Sequence, residues 1–220
     1  MRKVIGFGCI ALGFLSLLIA VGFVFYNKYE ETQGEKNAEI LLEEFQQNIL
    51  EANQTEPVPE ATPEVAPEEA PEVVIQENIT GEGSREMGTA PVGNYDGIGI
   101  ISIPVLNVEL PVLTDWTYAK LKKAPCHYYG SCYETDFVIA AHNYRNHFGR
   151  LSQLVAGDLV LFTDIEGTVH CYEVVLTETL PPTATEEMLT SGFDLSLYTC
   201  TPGGANRVTV RCSRVEGRTS

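Results

Sequence analysis

A small, mainly β domain closed or nearly closed into a barrel, carried behind a membrane-spanning helix and a disordered acidic linker, is the fold class this sequence predicts. Three observations predict it. Residues 93–220 alternate short β-branched and aromatic runs with Gly, Pro and Asn turns, and many short strands in so small a domain argue for a closed sheet. Residues 4–26 form an uncharged run, long enough at ~1.5 Å per residue to cross a hydrocarbon core of about 30 Å. Residues 56–72, EPVPEATPEVAPEEAPE, repeat Pro with Glu and Ala; such a segment buries too little apolar surface to fold and extends by self-repulsion.

Taken in order, residues 1–3 form a short cytoplasmic N-terminus and residues 4–26 the transmembrane anchor. A secretory signal peptide has an apolar core of only about 7 to 15 residues and a small-residue cleavage site, whereas this run is longer and ends in Phe23, Val24, Phe25 and Tyr26. Arg2 and Lys3 precede the span and Lys28 follows it, a balance that puts the N-terminus in the cytoplasm and the C-terminal domain outside. Within residues 27–55, Ile40, Leu41, Phe45, Ile49 and Leu50 recur at helical spacing and form one apolar stripe of a stalk helix. Residues 56–92 read as linker, with the catalytic domain at 93–220 and its order beginning near Asn94. The net charge of −16 belongs mainly to the connector: residues 27–92 hold 16 acidic against 3 basic side chains. No basic patch survives this balance, which excludes a nucleic-acid partner.

Strands are expected at 97–103, 108–113, near 127, and at 137–142, 158–163, 169–177, 195–199 and 207–213. Short helices are expected at 118–122, 148–154 and 186–189.

The chemistry concentrates in residues 194–211, DLSLYTCTPGGANRVTVR, a strand, a Pro/Gly turn and a second strand. Cys200 ends the first strand and Arg207 begins the second, so a hairpin closed over the loop sets a thiol beside a permanent cation. A thiolate is the attacking species in acyl transfer, a nearby positive group favours it, and a guanidinium can donate to an oxyanion. A cysteine on a strand is ordinarily an inert small apolar residue. The upstream run DFVIAAH, however, ends in His142 just before Asn143 begins a loop, where a scaffold presents side chains for chemistry. Cys200, His142 and Arg207 are thus candidates for nucleophile, proton carrier and oxyanion donor; His147, five residues on, is the rival base.

Ser196-Leu197-Tyr198-Thr199-Cys200 resembles the Thr-Leu-x-Thr-Cys signature of the sortases, membrane-anchored cysteine transpeptidases of Gram-positive bacteria, and Arg207 stands where that family's arginine follows. Val138 to His142 is similar to the family's histidine strand. Ser196 replaces the usual first Thr and Ala141 the Gly that commonly precedes the histidine; neither exchange removes a reacting group. The resemblance implies an eight-stranded barrel and catalytic His142, Cys200 and Arg207. It also implies cleavage of an LPxTG-like sorting signal, with the acyl group passed from the enzyme thioester to an amine. The partners would be surface proteins bearing a C-terminal sorting signal, a peptidoglycan precursor or other amine acceptor, and the membrane through residues 4–26. No cofactor and no metal is required. A pilin-polymerising member would carry an aspartate-aromatic lid motif, absent from residues 77–94; the Thr201-Pro202-Gly203-Gly204 turn and the N-terminal anchor look closest to a class D-like or general anchoring enzyme. Another Cys/His cell-wall peptidase, a pilin-polymerising sortase and a catalytically silent surface-binding barrel are the alternatives.

The other cysteines and histidines carry blander expectations. Cys9 lies in the span, and Cys171 and Cys212 alternate with strand residues as buried thiols. Cys126 and Cys132 are either a disulfide of an oxidising exterior or two unpaired thiols. A zinc site of Cys126, His127 and Cys132 lacks a fourth ligand and matches no closed pattern. His147 and His170 read as exposed or core-edge residues.

Overall fold

The computed structural model describes residues 2–54 and 85–215. Of the predicted linker, residues 55–84 lie outside the described residues. Two helix-sized pieces of sequence, the anchor and the stalk, are one continuous helix, α1 (Arg2–Gln54). Nine strands follow: β1 (Ala90–Val92), β2 (Tyr95–Ile103), β3 (Val108–Leu113), β4 (Cys126–Tyr129), β5 (Phe137–Ala140), β6 (Leu159–Asp164), β7 (Val169–Leu180), β8 (Leu195–Cys200) and β9 (Arg207–Arg214). Eight of them, in the order β2-β3-β4-β5-β8-β9-β7-β6, close on themselves through β2–β6 pairing, so the expected eight-stranded barrel is present, with β1 added to its β2 edge.

Closure depends on one small residue. A Cβ on Gly99 would sit 2.3 Å from the Thr163 carbonyl oxygen and against the Phe162 ring, so only glycine lets β2 approach β6 here. β5 lies between β4 and β8, antiparallel to the first and parallel to the second. All four of its residues are buried, which explains why FVIA reads as a continuous apolar run rather than an alternating one. β6 alternates buried and half-buried positions along its length. Ile101, Phe137, Ile139, Phe162, Leu197 and Val210 are among the side chains that fill the barrel.

Short helices fall close to where composition put them: α2 (Tyr118–Leu121), α3 (Thr185–Leu189) and a 3-10 turn at Leu151–Gln153; a second 3-10 turn, Pro104–Leu106, was not expected. Thr117 caps α2, its hydroxyl accepting from the Lys120 N–H at 3.2 Å.

Two readings need correction. The stripe on α1 is narrower than expected. Ala38, Leu41 and Phe45 are buried and Ile49 packs beside them, whereas Ile40 and Leu50 are exposed; positions 38, 41 and 45 share one helical face, and 40 and 50 fall off it. The linker, placed at 56–92, ends too late. Arg85 pairs with Glu166 and lies over the Tyr133 ring, and β1 pairs with β2 while Val92 joins Leu41 and Phe45 in a second apolar cluster. Its partners are distant in sequence, so nothing local marks it.

Candidate active site

Register sets the site. β8 and β9 are antiparallel with Cys200 directly opposite Arg207, as the hairpin reading expects. The loop between them is tied by Thr201, whose N–H donates to the Asn206 carbonyl at 2.9 Å while its hydroxyl accepts from the Asn206 N–H at 3.0 Å. Arg207 Nη1 donates to the Gly204 and Asn206 carbonyls, both at 3.1 Å. Its Nε and Nη2 make no hydrogen bond among the described residues. That leaves one edge of the planar donor fork for a ligand.

β5 and β8 run parallel, with Ala140 level with Tyr198. The ladder continues past the strand: Ala141 N–H donates to the Tyr198 carbonyl at 3.2 Å, and the Thr199 hydroxyl donates to the Ala141 carbonyl at 2.9 Å. His142 and Cys200 therefore leave neighbouring strands at the same level, at the ~4.8 Å spacing of paired strands. The signature threonine before the cysteine clamps the histidine strand in place.

Cys200 and Arg207 line one groove of about 150 Å³, walled by Trp116, Tyr128, Pro181, Met188 and Tyr198. Arg207 is the only charged side chain in its lining. His142 instead lines the adjoining pocket with Val24, Asn27, Glu30 and Tyr144. Its imidazole is stacked on the Tyr144 ring, centroids 4.1 Å apart and planes 23° apart. Its Nδ1 is buried without a partner. Burial, then the Lys122 ammonium, holds its pKa below the usual imidazole value. The three predicted residues thus gather at one end of the barrel, with Cys200 and Arg207 sharing a cavity and His142 turned to the next.

His147 is not core-edge. It is fully buried, beneath Tyr144 at 5.4 Å between centroids, with both ring nitrogens lacking hydrogen-bond partners. Burial pushes it down to about 4, opposed by the nearby Gly34 backbone. Folding suppresses its protonation, so between its ordinary value of 6.5 and about 4 the unfolded chain binds a proton the folded chain rejects. Stability is therefore lost as pH falls through that window, by about 3 kcal/mol at pH 4 relative to pH 7. His147→Leu is expected to remove that acid sensitivity, read as the difference in urea midpoint between the two pH values; an unchanged slope would contradict it. His147→Leu is also expected to retain turnover, whereas His142→Ala abolishes it. The reverse pattern would exchange the two assignments.

The remaining thiols differ from Cys200. Cys126, Cys132 and Cys212 are buried and free, and desolvation pushes them up to about 12, 11 and 12. Cys126 belongs to the cluster under α1 and Cys132 to the barrel core, so neither the disulfide nor the Cys126–His127–Cys132 metal group forms. Cys171 is half-buried; the Cys9 side chain lies outside the described residues. Cys132 lies instead with Asp164 and His170, ligand atoms within 4.8 Å of one another. These atoms are committed. Asp164 accepts from His170 Nε2 at 3.0 Å, from the Tyr133 hydroxyl and from two backbone N–H groups, and the Arg214 guanidinium faces His170 Nδ1 at 3.4 Å. The arrangement is a buried hydrogen-bond network, and His170, read as exposed or core-edge, is buried within it.

Sequence reasoning missed Tyr144, the Thr199 clamp and the role of Ser196. The last was recoverable. Extending the register from Cys200–Arg207 pairs Ser196 with Arg211, and the buried Arg211 guanidinium donates to the Ser196 hydroxyl at 2.8 Å.

Solved structures similar to this chain are sortases. Sortase A from Corynebacterium diphtheriae is 26% identical with a TM-score of 0.52, the match covering 57% of this chain and 64% of that one. Sortase C1 from Streptococcus suis is 28% identical with a TM-score of 0.50, covering 56% of this chain and 75% of that one. Sortase C1 from Streptococcus agalactiae is 26% identical with a TM-score of 0.50, covering 56% and 69%. No curated protein matches the chain. The family profile described as the sortase domain matches residues 101–215. That match takes in more than half of the sequence, and the chain belongs to the sortase family, whose members are cysteine transpeptidases.

Proposed function

We propose that this chain is a membrane-anchored transpeptidase that cleaves an LPxTG-like sorting signal on surface proteins and passes the acyl group to an amine of the cell wall. The observation that carries the reading is the groove shared by Cys200 and Arg207, cross-strand partners in an otherwise uncharged, largely aromatic and apolar lining. Such walls suit an extended peptide of uncharged side chains. Cys200 passes its thiol proton to His142, and the sulfur attacks the scissile carbonyl, forming the C–S bond as the carbonyl π bond opens to the oxyanion. The C–N bond then breaks, and the leaving amine takes a proton from His142. An incoming amine attacks the thioester, gives its proton to His142 and releases the Cys200 sulfur. Arg207 donates to the oxyanion in both halves. In this cycle the imidazole turns from its stack on Tyr144 toward the groove, a side-chain motion. Water in place of the second amine gives hydrolysis. Among the described residues α1 is the one helix long and apolar enough to cross a membrane, with an exposed segment beginning at Leu12. It serves as the single-pass anchor, with the N-terminus cytoplasmic and the barrel outside.

Incubation of the chain with a small set of LPxTG-like peptides, followed by intact-protein mass spectrometry, is expected to show a thioester adduct that an added amine discharges. Cleavage of stem peptides with no adduct from any sorting peptide would assign the site to a different wall peptidase.

A further inference from the structure

We infer that the groove end of the barrel lies on the surface of the bilayer that holds α1, with Trp116 and Tyr118 in the headgroup layer, so that the groove opens at the membrane. This rests on reading residues 4–26 as a membrane anchor. Helix α1 runs without a break from that span into its contacts with the barrel, so positions along it measure height above the lipid. Val24, inside the span, lines the same pocket as His142. Glu30 is four residues past Tyr26, a rise of about 6 Å, and it pairs with Lys122 at 2.9 Å. Glu31, one residue further, accepts from the Arg145 N–H at 3.0 Å. A headgroup region adds roughly 5 to 7 Å on each side of the hydrocarbon. The loop after His142 and the end of α2 therefore stand at headgroup height.

The residues presented there fit that layer. Tyr118 is 76% and Trp116 42% exposed, Trp116 resting against the Tyr118 and Tyr128 rings, and amphipathic rings concentrate at membrane interfaces. Lys120, Lys122 and Lys123 follow within five residues; Lys120 pairs with Asp115 and Lys122 with Glu30, and Lys123 stands beside them. Ammonium groups of this kind sit favourably among phosphates. Further along the helix, Leu41 and Phe45 pack with Val92 of β1 and with Leu113, Ala124 and Cys126. The contacts nearest the span are instead those with His142, Lys122 and Arg145, which places the catalytic end toward the lipid. Trp116 also walls the groove of Cys200, so the mouth of the groove and the membrane-facing surface share a residue.

The sequence contains a single tryptophan, so Trp116 fluorescence reports its own depth. The full chain is reconstituted into phosphatidylcholine–phosphatidylglycerol vesicles containing phospholipid spin-labelled either near the headgroup or at the acyl terminus. The shallow label is expected to quench Trp116 and the deep label to quench it far less. A seven-residue helical insertion after Tyr26 raises the barrel by about 10 Å while nearly preserving its facing, and quenching should be lost. Quenching equal to that in unlabelled vesicles, in a chain that resists alkaline extraction, overturns the orientation and leaves the anchor in place. Extraction of the chain by alkali overturns the anchor and the orientation together. Retained quenching after the insertion, or a change in emission only on adding a sorting peptide, also overturns it. Adduct formation with soluble peptide, measured on the same vesicles, reports the function proposal separately.

Discussion

Arg207→Ala is expected to lower kcat/KM for a sorting peptide about 100- to 1000-fold, or roughly 3 to 4 kcal/mol, the range seen when an oxyanion donor is removed elsewhere. Arg207 stands opposite Cys200 in the hairpin register, and its Nη1 is latched to the carbonyls of Gly204 and Asn206. The turn therefore fixes the guanidinium plane and aims its uncommitted donors. Arg207→Lys separates direction from charge. Lysine keeps the positive charge but has one compact head in place of the fork, so it cannot hold the turn carbonyls and still present a second donor edge. A large fall with Lys, close to that with Ala, indicates directed hydrogen bonding. Activity of the Ala variant within about threefold of the parent would remove Arg207 from the oxyanion role.

Arg211→Leu is the substitution with the largest expected effect on folding. Arg211 is the largest fully buried side chain of those described, and one guanidinium joins four elements. Nε donates to Glu178 on β7 at 2.8 Å, Nη1 to Ser196 on β8 at 2.8 Å, and Nη2 to the Glu187 carbonyl in α3 at 2.6 Å. Leucine keeps apolar bulk but strands the buried Ser196 hydroxyl and the Glu187 carbonyl. Each buried polar group left without a partner costs about 1 to 3 kcal/mol, and the two together are a large share of the roughly 5 to 15 kcal/mol by which a domain is stable. The urea midpoint should fall accordingly. Pairing the change with Ser196→Ala should cost less than the two single changes summed, because they share a partner. Strict additivity would contradict the shared network.

The barrel was legible because its strands are short β-branched and aromatic runs bounded by turn residues; β3 falls on the expected positions 108–113. The hairpin carried more, since a single register fixes Cys200–Arg207 and, four steps back, Ser196–Arg211. What escaped the sequence was made by distant contacts. Gly34 of α1 meets the Tyr144 ring so closely that a Cβ there would lie 2.7 Å away, and no periodicity in either segment announces it. The same holds for β1, whose Val92 finds its cover on α1. His147 looked like a second base because it lies close in sequence to His142, yet the turn after β5 sends one ring to a pocket and the other into the core. Strand ends and the family signature named the candidate reacting groups; burial, which separates the two histidines and sets Cys200 apart from Cys126, Cys132 and Cys212, is a property of the closed barrel.

The most direct test of the account is the location of the acyl group. The chain carrying its sorting-peptide adduct is digested at low pH, where thioesters survive, and the modified peptide is sequenced by mass spectrometry. The acyl mass is expected on Cys200 alone, with Cys126, Cys132, Cys171 and Cys212 unmodified and no adduct in Cys200→Ala. Acyl mass on any other cysteine, or turnover that persists in Cys200→Ala, would contradict the assignment of Cys200 as nucleophile.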